Sequence, residues 1–512
     1  MTRQSLTKPF WQRVGGKRVN KFLHQPAAAI IIAALAGAAL PLAFAPFDWV
    51  WLAVLSPAAL FALATALPRR VALASAYSFG IGYFGVGVSW VYVSISRYGN
   101  GPVVASAVTI AFVALLALFP SLVVYLVRKL RPQMDVFGFW LGFPAAWILS
   151  EWLRSWFLTG FPWLLLGYSQ TDTLLANIAP VFGVAGVSLA LVVLACALGW
   201  FVLCVSVRRA MIAAAVASAI LMGAKLLDRP WSGPSGPPLT VALVQGNIEQ
   251  DTKWDPAARA MILGRYRTLT IERLGVDLVV WPEAAVPMWY SEAAAFLDDL
   301  AATAAQAGTA LVVGVPMQDE EGRAYNAVVN LGSDRGIYRK RHLVPFGEYI
   351  PLRDFFGSTL DILGAPMSGF SAGDEAEPLD AAGLPMGTFI CYEAAFPMEV
   401  ADLLPEAELL INVSNDAWFG ESIGPLQHFQ ITRMRAIEAG RALLRVANTG
   451  VTAVIAADGS VTARAPQFEV ATITAEVAPR QGATPFVHWR EWPVVGLGGL
   501  VLLLLALGRS YS

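Results

Sequence analysis

The sequence predicts two parts: a polytopic α-helical membrane domain of about eight transmembrane helices, and a soluble α/β domain of layered sheets covered by helices. Three observations lead there. Of 512 residues, 56% are hydrophobic and 14% charged, with a mean hydropathy of +0.57, against about 25% charged in an average soluble domain. Long apolar runs occupy nearly half the chain. Beyond the Pro/Gly/Ser tract at 228–238 (DRPWSGPSGPP), strand-like runs alternate with amphipathic helical ones.

The candidate spans are 27–44, 49–67, 71–96, 103–127, 136–150, 178–207, 211–227 and 492–507, since crossing a bilayer takes about 20 apolar residues. This makes 1–227 a membrane domain of seven helices, 228–238 a linker, 239–484 the soluble domain, and 485–512 a last helix with a short tail. The run 136–150 is the shortest and carries Pro144; it is expected to continue through Glu151 and Arg154, which sit at pairing distance on a helix. Ala43-Phe44-Ala45 resembles a cleavage site, but the long basic lead, Pro46 and the later spans favour a retained helix.

Sidedness follows from the basic residues. Arg3, Lys8, Arg13, Lys17, Arg18 and Lys21 precede the first span; Arg69–Arg70, Arg128–Lys129–Arg131 and Arg208–Arg209 fall in alternate loops, while the loops between hold only Arg97 and Arg154. The N-terminus and the Arg509 tail are therefore expected in the cytoplasm, with the soluble domain outside. The loop 150–173, with Trp152, Trp156, Phe157, Phe161, Trp163 and Tyr168, reads first as an interfacial aromatic belt and second as a lipid-facing floor beneath the soluble domain.

In the soluble part, strands are expected at 239–245, 277–281, 311–315, 386–391, 409–413, 443–447, 452–456 and 470–477, and helices at 256–274, 293–307 and 426–439. A hairpin joins 326–331 to 337–339, and 352–374, with Phe355, Phe356 and Phe370, is a long loop. β–α alternation of this kind argues for sheets covered by helices. The net charge of −1 gives no reason to expect a nucleic-acid partner. Three cysteines exclude a disulfide framework; Cys196 and Cys204 sit in an apolar run as core residues, leaving Cys391 in the soluble part.

Glu283, Lys340 and Cys391 each close a strand, and loops at strand ends are where function gathers. A thiol is mostly protonated near neutrality and needs a base or a cation to become a nucleophile. A buried Glu can take its proton, and a Lys can stabilise thiolate and oxyanion. No metal is expected, because no second Cys or paired His lies near Cys391 in the sequence. Taken singly, each residue is weak evidence.

Together the segments resemble the nitrilase superfamily: Trp281-Pro282-Glu283, Lys340 with His342-Leu343-Val344-Pro345-Phe346-Gly347-Glu348, and Cys391-Tyr392-Glu393. Further matches are Val244–Ile248, Lys253-Trp254-Asp255-Pro256, Tyr325-Asn326-Ala327, Val413–Gly420, Ser89–Tyr92 and Gly160–Trp163. The likeness covers nearly the whole chain and points to the membrane-embedded branch, the apolipoprotein N-acyltransferases of the bacterial inner membrane. The resemblance implies an αββα sandwich, a Glu283–Lys340–Cys391 triad with Glu348 in support, and no cofactor. It also implies a ping-pong exchange: Cys391 takes an acyl chain from a phosphatidylethanolamine-like phospholipid and passes it to the α-amine of a diacylglyceryl-cysteine apolipoprotein. Trp254, Asn326, Tyr392 and Glu393 are implied as supporting or substrate-contacting; His342 reads as structural. Arg433, Arg435, Glu438, Arg441 and Arg445 read as a solvated or internally paired helix face.

Two other readings stand beside this one. A membrane-anchored amidase could use the same triad, because water and an amine both resolve a thioester; the extensive membrane half weighs against it. A non-catalytic scaffold would be marked by loss of Glu, Lys or Cys, and all three are present.

Overall fold

The computed structural model describes residues 25–98, 101–131, 138, 140–203, 205–332, 336–350 and 369–508. The chain forms two compact units: 1–92, 106–229 and 489–512 make one, and 93–105 with 230–488 make the other.

The first unit is helical. Four stretches are long and apolar enough to cross a membrane: Pro26–Ala43, Gly101–Leu130, Leu174–Leu203 and Val207–Leu226; Arg69–Gly87 with Trp90–Arg97 makes a fifth if a 53° bend is counted within one span. The expectation of eight is therefore not confirmed among the described residues. Hydropathy registers apolar side chains, but spanning also needs unbroken helix. The run at 49–67 yields Leu52–Ala66, that at 492–507 yields Trp492–Leu507, and that at 136–150 yields Gly142–Arg154, of 15, 16 and 13 residues. At 1.5 Å per residue these reach about 20–24 Å, below the roughly 30 Å hydrocarbon core, so helix length alone does not establish them as spans.

Helix Val207–Leu226 buries only Ala224 of its twenty residues and leaves Leu226 73% exposed; an apolar helix whose surface the described residues leave largely uncovered needs a lipid partner. Glu151 and Arg154 anchor the following loop: the Glu151 carboxylate accepts from Trp147 Nε1 at 3.0 Å and Leu166 N at 2.9 Å, and Arg154 donates to the Phe161 carbonyl at 2.8 Å and that of Trp163 at 2.5 Å. The aromatic loop divides. Trp163 and Tyr168 are core residues, while Trp156 and Phe157 are exposed, so neither belt nor floor describes all of it.

The second unit holds two six-stranded sheets among its described residues. The first contains β1 (Leu239–Gln245), β2 (Leu278–Val280), β3 (Ala310–Gln318), β4 (Ala324–Asn330), β5 (Ile337–Arg339) and β12 (Ala471–Val477), in the order β12-β1-β2-β3-β4-β5. The second contains β6 (Leu379–Ala381), β7 (Leu384–Ile390), β8 (Leu409–Ser414), β9 (Leu443–Ala447), β10 (Ala453–Ile455) and β11 (Val461–Arg464), in the order β11-β10-β9-β8-β7-β6. The central pairs β1–β2, β2–β3, β7–β8 and β8–β9 are parallel and the others antiparallel.

Alternate side chains of both sheets build one core, including Val241, Leu243, Val280, Val312, Ile390, Ile411, Val413 and Val446. The opposite face of the first sheet, with Trp281 and Val313, packs on Ile262 and Tyr266 of helix Arg259–Ile271 and on Leu297 and Leu300 of helix Tyr290–Gln306. Helix Gly424–Ala439 flanks the second sheet, where Arg445 of β9 bonds Thr432. The parallel strands, covered on both sides, read as continuous apolar runs such as Leu409–Val413. Strands β6 and β11 escaped the sequence reading because they are short and partly exposed. The turn residues 333–335 and most of the loop 352–374, including Phe355 and Phe356, lie outside the described residues.

Candidate active site

Strand β2 ends at Val280, and the buried segment Trp281-Pro282-Glu283 leads off its end. Glu283 is buried. Its Oε1 accepts from Asn326 Nδ2 at 2.7 Å and lies 3.4 Å from Lys340 Nζ; its Oε2 accepts from Asn415 N at 2.7 Å. This peptide runs directly over β3, where a Cβ on Gly314 would come 2.3 Å from the Pro282 carbonyl oxygen. Only glycine admits that approach.

Lys340 follows β5 and is almost fully buried. Besides Glu283 it contacts Glu348 at 2.9 Å. Burial works to lower its ionisation, but the attraction of Glu348 and Glu283 wins and holds it well above the usual lysine range. Glu348 is buried rather than on the surface: it accepts from Asn326 Nδ2 at 2.9 Å and from Val344 N at 2.8 Å. Asn326 therefore bridges the two carboxylates, and this fixes which end of its amide faces them.

Cys391 follows β7 in the left-handed region, at φ +51°. Non-glycine residues enter that region at a cost, and they concentrate at functional sites. Ala284, beside Glu283, and Phe346, beside Glu348, also have positive φ. Burial pushes the Cys391 thiol up, as do the Glu283 and Asp416 charges; Lys340 and a Ser414 hydrogen bond pull it back only in part. The resting cysteine is a thiol that needs a base at the moment of attack.

The supporting residues separate. Glu393 is a strut: it accepts from Ile390 N at 2.5 Å, Arg341 N at 2.6 Å, His342 N at 3.1 Å and Tyr338 Oη at 3.0 Å, which ties the Cys391 turn to the Lys340 loop. Burial raises it to about 7 against those bonds. Tyr392 packs edge-on against Phe396, with ring centroids 5.1 Å apart. His342 stacks on Phe396 and bonds Glu399 at 2.7 Å, a structural arrangement. Half-buried Trp254 follows the turn Gln250–Lys253, and its Nε1 has no partner among the described residues.

Sequence reasoning assigned no role to two features. Lys253 is buried and donates to the Glu283 carbonyl at 3.0 Å. Behind Cys391, His428 Nε2 lies 2.9 Å from the Cys391 carbonyl and Nδ1 lies 2.9 Å from Asp416, whose other oxygen is 2.8 Å from Arg445. A Cβ on residue 450 would strike Asp416 at 2.1 Å, so Gly450 makes room for it. The proposed charged helix face is corrected in part. Arg435, Arg441 and Arg445 are buried, Arg435 pairs with Glu438 at 3.0 Å, and Arg445 stands on β9, not on the helix. Internal pairing holds for Arg435 and Arg445, while Arg441 donates to the carbonyls of Ala407, Pro405 and Gly482; a solvated face does not hold for these three.

Cys391, Asp416 and His428 bring potential metal-ligand atoms within 4.8 Å of one another, a grouping that sequence spacing did not reveal. Its donors are already committed: Asp416 to Arg445, Ser414 and His428, and His428 to the Cys391 carbonyl. A guanidinium already holds the place of the cation.

The two-sheet α/β unit, residues 240–485, matches the carbon-nitrogen hydrolase family. Residues 36–198 match the apolipoprotein N-acyltransferase N-terminal domain. The chain is 46% identical over 490 residues to the apolipoprotein N-acyltransferase of Methylococcus capsulatus, covering 94% of this chain and 96% of that one. It is 43% identical over 486 residues to that of Pseudomonas putida, covering 92% and 95%. The chain belongs to the apolipoprotein N-acyltransferase family.

Proposed function

We propose that this chain moves a fatty acyl group from a phospholipid, through a thioester on Cys391, to the α-amine of the N-terminal diacylglyceryl-cysteine of apolipoproteins. The observation that carries the reading is the buried cluster of Glu283, Lys340 and Glu348, coupled electrostatically to Cys391, in a chain whose other unit turns apolar helices outward. In the first half-reaction Glu283 takes the thiol proton as sulfur attacks the ester carbonyl of a phosphatidylethanolamine-like donor. Lys340 faces the charge that develops on sulfur and on the carbonyl oxygen. The C–O bond breaks, Glu283 returns the proton to the departing alcohol, and a lysophospholipid leaves. In the second, the neutral α-amine attacks the thioester, Glu283 takes its proton, and the C–S bond breaks to regenerate the thiol. The exchange is ping-pong. Glu348 and Asn326 hold Lys340 and Glu283 in register.

The enzyme sits in the bacterial inner membrane with its catalytic unit on the periplasmic side and both termini in the cytoplasm, as the alternation of basic loops supports. A maleimide unable to cross the membrane should label a cysteine placed on the exposed surface of the catalytic unit in intact spheroplasts. A reporter fused after Ser512 should behave as cytoplasmic. The opposite outcome in either test reverses the topology. The chemistry is tested by incubating the purified protein with labelled phospholipid and locating an acyl adduct on Cys391 by mass spectrometry; an adduct elsewhere, or none, refutes it.

A further inference from the structure

The site holds a charge that the exchange described above does not use. Lys253 is 2% exposed and ends the short turn Gln250–Lys253, the same turn whose Gln250 accepts from Asn415 Nδ2 at 2.8 Å. Its Nζ donates to the main-chain carbonyl of Glu283 at 3.0 Å. That carbonyl belongs to the peptide linking Glu283 to Ala284, the residue at φ +45°. Lys253 therefore grips the main chain on which the carboxylate depends.

Charge counting gives it a second role. Buried charges need partners. Asp416 is matched by Arg445, and Glu393 lies near Arg341. At the centre, Glu283 and Glu348 carry two negative charges and Lys340 only one positive. The groups that act on Lys253 are Glu283 and Cys391, with Lys340 beyond Glu283. With Lys253 protonated the centre is neutral. Moving a proton from Cys391 to Glu283 then leaves the sum unchanged.

We propose that Lys253 is a positioning residue that completes the charge balance of this site: its ammonium fixes the Glu283 peptide and offsets the second carboxylate, so that a thiolate can form on Cys391. This rests on the acyl-transfer reading for its purpose, but not for its test. Burial pulls Lys253 down to about 8, against the raising effect of Glu283 and Cys391, so its charge fades in mildly alkaline solution while that of Lys340 persists.

The test is the pH dependence of Cys391 alkylation by iodoacetamide, followed by mass spectrometry on the full-length protein in detergent, beside acyl-adduct formation from labelled phospholipid. Lys253→Met should alkylate about tenfold more slowly at pH 7, where the wild-type ammonium is charged, the effect of losing one nearby opposite charge, with its profile displaced to higher pH. Lys253→Arg keeps the charge and should hold its acylation rate at pH 9, where the wild type declines. A purely structural role predicts lower rates with an unchanged profile. Wild-type alkylation and acylation profiles in Lys253→Met would overturn the proposal. If Lys253→Met does not fold, a Lys253→Arg acylation profile that declines above pH 8 just as the wild type does overturns it instead. Failure of the wild type to form any acyl adduct would sink the acyl-transfer reading alone, because alkylation still reports on Lys253.

Discussion

The two units reverse each other's rule for inside and outside. In the catalytic unit Arg435, Arg441 and Arg445, with Lys340, lie among the most buried side chains, whereas in the helical unit Leu226, Met211 and Ile110 are more than 60% exposed. Each arrangement is costly in the other's surroundings. A buried guanidinium is tolerable where Asp416 meets it at 2.8 Å, and an uncovered leucine is tolerable where the solvent is hydrocarbon. The lesson is that stability has different sources: paired charges and a dense two-sheet core in one unit, lipid contact and helix length in the other.

The sharpest way to break the comparison is at the nucleophile. Cys391→Ala should abolish both acyl adduct and transfer while leaving membrane insertion intact, as judged by mass spectrometry and detergent extraction. Cys391→Ser should fold but remain poorly active, because an alkoxide is harder to generate than a thiolate. Next come its partners: Glu283→Gln should slow adduct formation by about 10²–10⁴, and Lys340→Ala by roughly 10²–10³, in single-turnover assays with phospholipid.

Substitutions away from the chemistry separate the two solvents. Arg445→Met strands a buried carboxylate and should cost about 3–5 kcal/mol. Burial alone would raise Asp416, but Arg445 and His428 hold it well below the usual carboxylate range. Its contribution is therefore full above a pH of about 4 and lost as acid protonates it; thermal unfolding against pH should lose that acid limb in the variant. In the helical unit, Val216→Asp places a charge in mid-span and should cost about 2.5–3.5 kcal/mol of insertion, read as a loss of membrane-integrated protein. At the small end, Asp299→Ala removes an exposed pair with Arg267 and should change stability by no more than about 1 kcal/mol and activity not at all.

Legibility followed the same division. Strands β1, β8, β9 and β12 were readable because buried parallel strands are continuous apolar runs and edge strands alternate. Glu283, Lys340 and Cys391 were readable as strand-end residues carrying recognisable motifs, and the structure brings Glu283 and Lys340 to 3.4 Å. Lys253 and Asp416 fell within matching segments, but their roles, like that of His428, were not readable. Lys253 reaches Glu283 across thirty residues, and His428 reaches Cys391 across 37; no local periodicity encodes such meetings. The eight apolar runs and the four or five long helices differ for the converse reason. Apolar composition is local, but where a helix bends, as between Gly87 and Trp90, depends on what it packs against.

The central claim is that Cys391 holds an acyl group until an amine arrives. Purified protein given labelled phospholipid alone should accumulate a thioester on Cys391 that persists. It should disappear on adding a diacylglyceryl-cysteine peptide with a free α-amine, with the acyl chain recovered on that amine, and remain when the amine is acetylated. Rapid release of free fatty acid without any peptide would contradict the account and favour a hydrolase.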